Sequence, residues 1–277
     1  MTEPMQANRR YDGIVVETSQ TSFEEVPFLV TNRPVICIGA VAPATWTYAR
    51  LQRQLHKEAF LVLKDLEGYA EPLATDYGLH SEVEAISRLA DEAGFQRLHL
   101  IGYSAGGSIA LAFALAYPER INSLTLIEPA WIGIHTVGEV EIAYLSTVDC
   151  AMQLPISERG HALLMAMSAP GTDPSTIPTP DWLLERSAGF GPIWRSFREA
   201  TLDIKAIESF PAPVYLPVGG KSHPRFSVAA HWLASTLPRS RVDIYQDQTH
   251  LDAPPIRETE RFIGALRSLW AEVPHRI

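Results

Sequence analysis

The chain has 277 residues, 46% of them hydrophobic, and its 23 Lys and Arg stand against 32 Asp and Glu for a formal charge of −9. That length buries a full core as one domain with an insertion, and nothing in the composition divides it into two independent units. An acidic balance with no Lys/Arg run excludes a phosphate-tracking nucleic-acid surface, and no run of about 18 apolar residues is present to enter a membrane.

The first ten residues carry no apolar stretch behind a basic start, so the expectation is a soluble, cytoplasmic protein. Residues 11–30 read as one or two antiparallel edge strands. From there the pattern becomes regular. Short apolar runs bounded by turn residues at 34–38, 59–63, 98–101, 124–127, 214–218 and 242–245 predict six strands buried on both faces. Helical patterns at 46–57, 78–93, 108–117, 227–237 and 256–270 lie between them. Such alternation predicts an α/β fold, a mostly parallel doubly wound sheet with helices on both faces, whose functional groups gather beyond the carboxyl ends of the strands. Residues 131–208 break the alternation with Trp-rich helical stretches and a Pro-rich loop at 169–180. They read as a helical cap inserted over the strand ends, leaving 1–130 and 209–277 as the core. Cys37 in an apolar run and Cys150 in a helical one read as two buried reduced thiols rather than a disulfide.

Residues 98–107 read Leu-His-Leu-Ile-Gly-Tyr-Ser-Ala-Gly-Gly, a strand-like run that breaks into Gly-x-Ser-x-Gly centred on Ser104. A serine on a sharp strand-to-helix turn needs glycine on both sides, here Gly102 and Gly106, because a larger side chain would strike the neighbouring backbone. The residues after it, 108–117, are small and apolar all round, as in a buried helix whose positive N-terminal end lies beneath the serine. Serine needs a base at neutral pH, and the base needs a third group to fix its tautomer. Of nine histidines, His250 follows the last predicted strand and precedes the last helix, where a loop reaches back to the elbow. His56, His80, His99, His161, His231 and His275 read as surface or packing residues, while His135 and His223 stay open.

From about residue 34 to 270 the chain resembles the α/β-hydrolase family. Ile36-Cys37-Ile38-Gly39-Ala40 resembles its strand and oxyanion loop, Asp65-Leu66-Glu67-Gly68-Tyr69 resembles its Asp-Leu-x-Gly-His turn, and 102–106 is its nucleophile elbow. The resemblance implies an oxyanion hole of two backbone N–H groups, from Ala105 and Ala40, with Val41 as the fallback for the second. Two such amides, each worth about 3 kcal/mol, stabilise charge that exists only in the transition state.

Two positions depart from the family. Ile38 stands where the His of His-Gly is usual, and the turn that usually carries the acid as Gly-x-x-Asp reads Gly219-Gly220-Lys221-Ser222-His223-Pro224, with no carboxylate. A carboxylate does end the strand after the elbow helix, in Ile127-Glu128-Pro129. The chain resembles a subgroup that carries its triad acid there, which assigns the role to Glu128. Read as an isolated residue, Glu128 also suits a cap or ion pair at a strand end. Asp247 and Asp252 lie too near His250 in sequence to orient its ring easily, and Asp149 and Asp203 fall in the cap.

With Ser104, His250 and Glu128, the expected chemistry is attack on a carboxylic ester, thioester or lactone through an acyl-enzyme, with no cofactor, no metal and a small-molecule acyl substrate as partner. A serine in place of an aspartate nucleophile argues against epoxide opening and dehalogenation. Trp131, His135, Trp182, Phe190, Trp194 and Phe197 in the cap, with Tyr103 and His223, form the candidate substrate-binding set, although aromatics there also serve to glue cap to core. Two other readings stay open: acyl transfer to an alcohol or amine, and a ligand-binding protein on the same fold with little turnover. A homo-oligomer is compatible with the sequence.

Overall fold

Each short apolar run becomes a strand in a computed structural model that describes residues 33–133 and 138–273. The expected edge strands at 11–30 lie outside the described residues. The strands are β1 (Arg33–Ile38), β2 (Ala59–Lys64), β3 (Leu98–Tyr103), β4 (Ile121–Ile127), β5 (Val214–Gly219) and β6 (Ser240–Tyr245). They form one sheet in the order β2-β1-β3-β4-β5-β6, and every neighbouring pair is parallel. The helices are α1 (Ala44–Leu55), α2 (Leu79–Glu92), α3 (Ala105–Ala116), α4 (Glu139–Gln153), α5 (Ile156–Met167), α6 (Asp181–Glu199), α7 (Ile204–Glu208), α8 (Pro224–Thr236), α9 (Pro254–Arg257) and α10 (Thr259–Ala271). On one face α1, α9 and α10 close a core around Val35, Cys37, Tyr48, Tyr215 and Phe262, and on the other α2, α3 and α8 pack over Ile36, Leu100, Leu124 and Leu216.

Three expectations need correction. Burial on both faces holds for β3 and β5, but β6 is half-buried along most of its length and Phe60 of β2 is exposed. These two strands are the outer ones of the described sheet, where helices cover less of the surface. The last predicted helix is two, because Pro254 and Pro255 open a single turn that ends at Glu258, whose ψ of 47° is not helical. Cys37 is buried, whereas Cys150 is exposed, since α4 turns Tyr144, Leu145, Val148 and Met152 inward and leaves Cys150 on its outer side.

The ladder between β4 and β5 has only two registered pairs, Leu124 with Val214 and Thr125 with Tyr215. Beyond Thr125 the two strands part, leaving room between their carboxyl ends. The helices α4–α7 fill the connection between these strands. They are tied to strand-end loops at several points: Arg186 of α6 meets Asp65 at 3.1 Å and lies over the Tyr69 ring at 3.8 Å, and Phe197 stacks on Trp131 at 5.7 Å. A Cβ on Gly189 would sit 2.4 Å from the carbonyl oxygen of Gly68, so only glycine lets α6 approach that loop so closely.

Candidate active site

Ser104 stands between β3 and α3 with φ of 52°, a left-handed conformation that costs a non-glycine residue about 1–2 kcal/mol. Its backbone is held by four hydrogen bonds: its N–H donates to Ile127 O at 2.9 Å, and its carbonyl accepts from Ala130 N at 3.0 Å, Ser108 N at 3.1 Å and Ser108 Oγ at 3.4 Å. The flanking glycines are required by contact. A Cβ on Gly102 would lie 2.3 Å from Gly106 O, and one on Gly106 would lie 2.1 Å from Gly39 O.

A continuous line of hydrogen bonds runs from the hydroxyl. His250 Nε2 lies 3.0 Å from Ser104 Oγ, and His250 Nδ1 lies 2.7 Å from Glu128 Oε2. All three side chains are essentially excluded from solvent. A carboxylate only accepts, so the partners assign the imidazole proton to Nδ1 and leave Nε2 to accept from the hydroxyl. The second oxygen of Glu128 accepts from Gly219 N–H at 2.8 Å, across the gap where β4 and β5 part. Glu128 too is left-handed, with φ of 44°. That turn swings its side chain off the line of β4 and toward the imidazole.

The imidazole is held from its faces as well. Phe226 stacks on it at 4.2 Å with planes 4° apart, and the Tyr103 ring lies 5.2 Å away. The Tyr103 hydroxyl donates to the carbonyl oxygen of His250. Burial, reinforced by the nearby Glu128 charge, raises the Tyr103 phenol well above its usual range, so it remains a donor. Neither Phe226 nor its neighbour Arg225 was found from the sequence, where no spacing ties the start of one helix to a histidine some two dozen residues later.

Ala105 opens α3, whose first amides have no carbonyl four residues back to bond. The Ala40 N–H donates to Ala42 O at 3.2 Å inside its own loop, a bond an incoming oxyanion would have to replace. Val41, the fallback, follows it in the loop and lines both cavities described next.

A cavity of about 100 Å³ opens on Ser104 and His250 and is walled by Tyr103, Trp46, Trp182 and Met167. Trp46 and Trp182 face each other there at 5.9 Å. A smaller space of about 30 Å³ adjoins Ala105 and Val41 and is enclosed by Met152, Phe190, Trp194 and Phe197. Of the expected substrate-binding residues, Tyr103 and Trp182 line the first, and Phe190, Trp194 and Phe197 the second. Trp131 does not line either; it is fully buried against Phe197 and belongs to the packing. His223 also falls outside them: its Nδ1 accepts from Arg225 N at 3.2 Å at the start of α8, its ring rests near Tyr144, and burial lowers its pKa. His135 lies outside the described residues. Among the described residues no group of three His, Cys, Asp or Glu side chains could hold a metal ion, and no described helix is long and apolar enough to cross a membrane.

The parallel sheet, the elbow serine and a histidine loop after the last strand define the class: the chain is an α/β-hydrolase-fold protein. Residues 34–145 match the family model for the alpha/beta hydrolase fold. Among similar proteins, a 2-hydroxy-6-oxo-6-phenylhexa-2,4-dienoate hydrolase of Comamonas testosteroni is 36% identical over 77 residues, covering 26% of this chain and 27% of its own. Lipase 1 of Psychrobacter immobilis is 30% identical over 105 residues, covering 36% and 33%. The matched stretches therefore span about a third or less of these two relatives. Likeness of fold extends further. A meta-cleavage product hydrolase from Pseudomonas fluorescens IP01 superposes with a TM-score of 0.66 at 21% identity over 87% of this chain and 92% of the other. An esterase from Thermogutta terrifontis gives 0.64 at 19% over 87% and 90%.

Proposed function

We propose that this chain is a serine hydrolase that cleaves a carboxylic ester, or a thioester or lactone of similar shape, by way of an acyl-enzyme. The observation that carries the reading is the unbroken hydrogen-bonded line from Ser104 Oγ through His250 to Glu128. His250 Nε2 takes the hydroxyl proton as Oγ attacks the carbonyl carbon, and returns it to the leaving oxygen or sulfur as the tetrahedral adduct collapses. Glu128 keeps the proton of the other ring nitrogen in place and offsets the imidazolium charge. Backbone N–H groups of Ala105 and of the 40–41 loop receive the oxyanion. Water then repeats the sequence on the acyl-enzyme and releases the acid.

The cavity walls favour a short, uncharged acyl group. Among the described residues no Lys or Arg lines either space, so a carboxylate there would lose its hydration without a cation to replace it. This supports a neutral ester, as the lipase relative's name suggests, over an anion such as the dienoate in the other relative's name. The cavity at Ser104, about 100 Å³, is small beside the roughly 300–1,000 Å³ of pockets for drug-sized ligands.

The test is hydrolysis of p-nitrophenyl acetate, butyrate, octanoate and hemisuccinate by the wild type and by Ser104→Ala. The neutral short esters should be turned over best, and Ser104→Ala should lose about six orders of magnitude in kcat. Undiminished activity in Ser104→Ala sinks the mechanism, and a preference for the hemisuccinate sinks the choice of substrate.

A further inference from the structure

Arg225 is fully buried at the start of α8, and every polar contact it makes lies beside the triad without touching it. Its Nε donates to Glu141 Oε2 at 2.7 Å and its Nη2 to Glu141 Oε1 at 2.6 Å, a two-pronged pair with a carboxylate that is just as buried. Its Nη1 donates to the carbonyl oxygen of Pro129, the residue after Glu128. The next residue, Phe226, is the ring that stacks on His250. One guanidinium thus grips the backbone that follows the acid and the helix turn that carries the platform of the base. Glu141 belongs to α4, and Val148 and Met152 of the same helix line the inner cavity.

Replacing a buried ion pair by apolar residues of similar volume is often neutral or stabilising, so stability alone is a poor reason for this one. We propose that Arg225, locked to Glu141, is a positioning residue that holds Glu128 and His250 in register with Ser104 and ties that register to the placement of α4. The inference rests on the hydrolase reading above. Displacing a reacting group by about 1 Å costs on the order of 100-fold in rate, which sets the size of the effect.

The experiment compares wild type with Arg225→Met/Glu141→Leu, which removes both charges at once, and with Arg225→Lys, which keeps one charge but loses the planar fork. Each is measured for kcat and KM on p-nitrophenyl butyrate, for the rate at which a fluorophosphonate labels Ser104, and for melting temperature. The inference expects the double variant to melt within a few degrees of wild type while kcat and the labelling rate fall about 10- to 100-fold with KM little changed. Arg225→Lys should fall in between and remains informative if the double variant does not fold. Wild-type kcat and labelling in either folded variant overturns the inference alone, as does a change confined to KM. Absence of both turnover and labelling in the wild type overturns the hydrolase reading and the inference with it.

Discussion

The ends of β4 and β5 lie side by side, and on the hydrolase reading they divide between them a task that the resembled family usually gives to one. The turn after β5, in Gly219-Gly220-Lys221-Ser222, has no carboxylate, while the end of β4 carries Glu128. Yet the β5 turn is engaged: Gly219 N–H holds the free oxygen of Glu128 at 2.8 Å, and the helix it leads into supplies Arg225 and Phe226. One strand end presents a carboxylate and the other holds it in place. Ser222, in the position of the usual Asp, is buried with an Oγ that has no hydrogen-bond partner among the described residues.

The largest break in this division is Glu128→Gln, which keeps the shape but presents an amide to Nδ1. On the hydrolase reading kcat should fall about 10⁴-fold with the fold intact, and near-normal turnover would move the acid elsewhere. The division should also be reversible. Glu128→Ala combined with Ser222→Asp should recover about 10- to 100-fold over Glu128→Ala alone, because the β5 turn already touches Glu128 through the Gly219 N–H; no gain would show that this turn cannot reach His250. A smaller effect is expected from Gly219→Ala. Its Cβ would meet Gln248 O at 2.5 Å and Ser222 Oγ at 2.6 Å, so the turn must shift, costing about 1–3 kcal/mol of stability and about tenfold in kcat. Retention of both would mean that the amide does not steady Glu128.

The least catalytic effect belongs to the opposite end of the sheet, where β3 and β4 begin. His99, near the start of β3, bonds Ser123 Oγ of β4 at 2.7 Å, and burial, with a smaller contribution from Arg33, lowers its pKa from 6.5 to about 3. Folded His99 therefore stays neutral where the unfolded chain takes up a proton. Its stabilising share is fully present above about pH 6.5 and is lost as pH falls toward 3. His99→Leu should leave kcat unchanged and flatten the acid-side decline of the urea midpoint between pH 6.5 and 4. An equally steep decline would locate the sensitivity in another group.

Most of the sheet was legible because a parallel strand buried on both faces leaves a run of four or five apolar residues, and β1 and β5 both do so. Ser104 was legible because its turn leaves almost no choice at Gly102 and Gly106. His250 followed from topology, since a loop after the last strand is the place that returns to the elbow. Glu128 needed the resemblance as well, for a carboxylate at a strand end has many ordinary uses. What could not be read was which way an aromatic faces. Trp131 and Trp182 look alike in sequence, yet one is sealed in packing and the other walls the cavity. The Arg225 pair with Glu141 joins residues 84 positions apart, so no local period announces it.

The left-handed backbone at Ser104 and Glu128 has a consequence for directed evolution. Glycine is the residue most at ease with φ of 52° or 44°, so Ser104→Gly and Glu128→Gly each relax the chain while removing a functional group. On the hydrolase reading, variants screened for heat tolerance alone would gather glycine at these two sites and emerge sturdier and inert. Only a screen that scores turnover beside thermal survival keeps both residues in place.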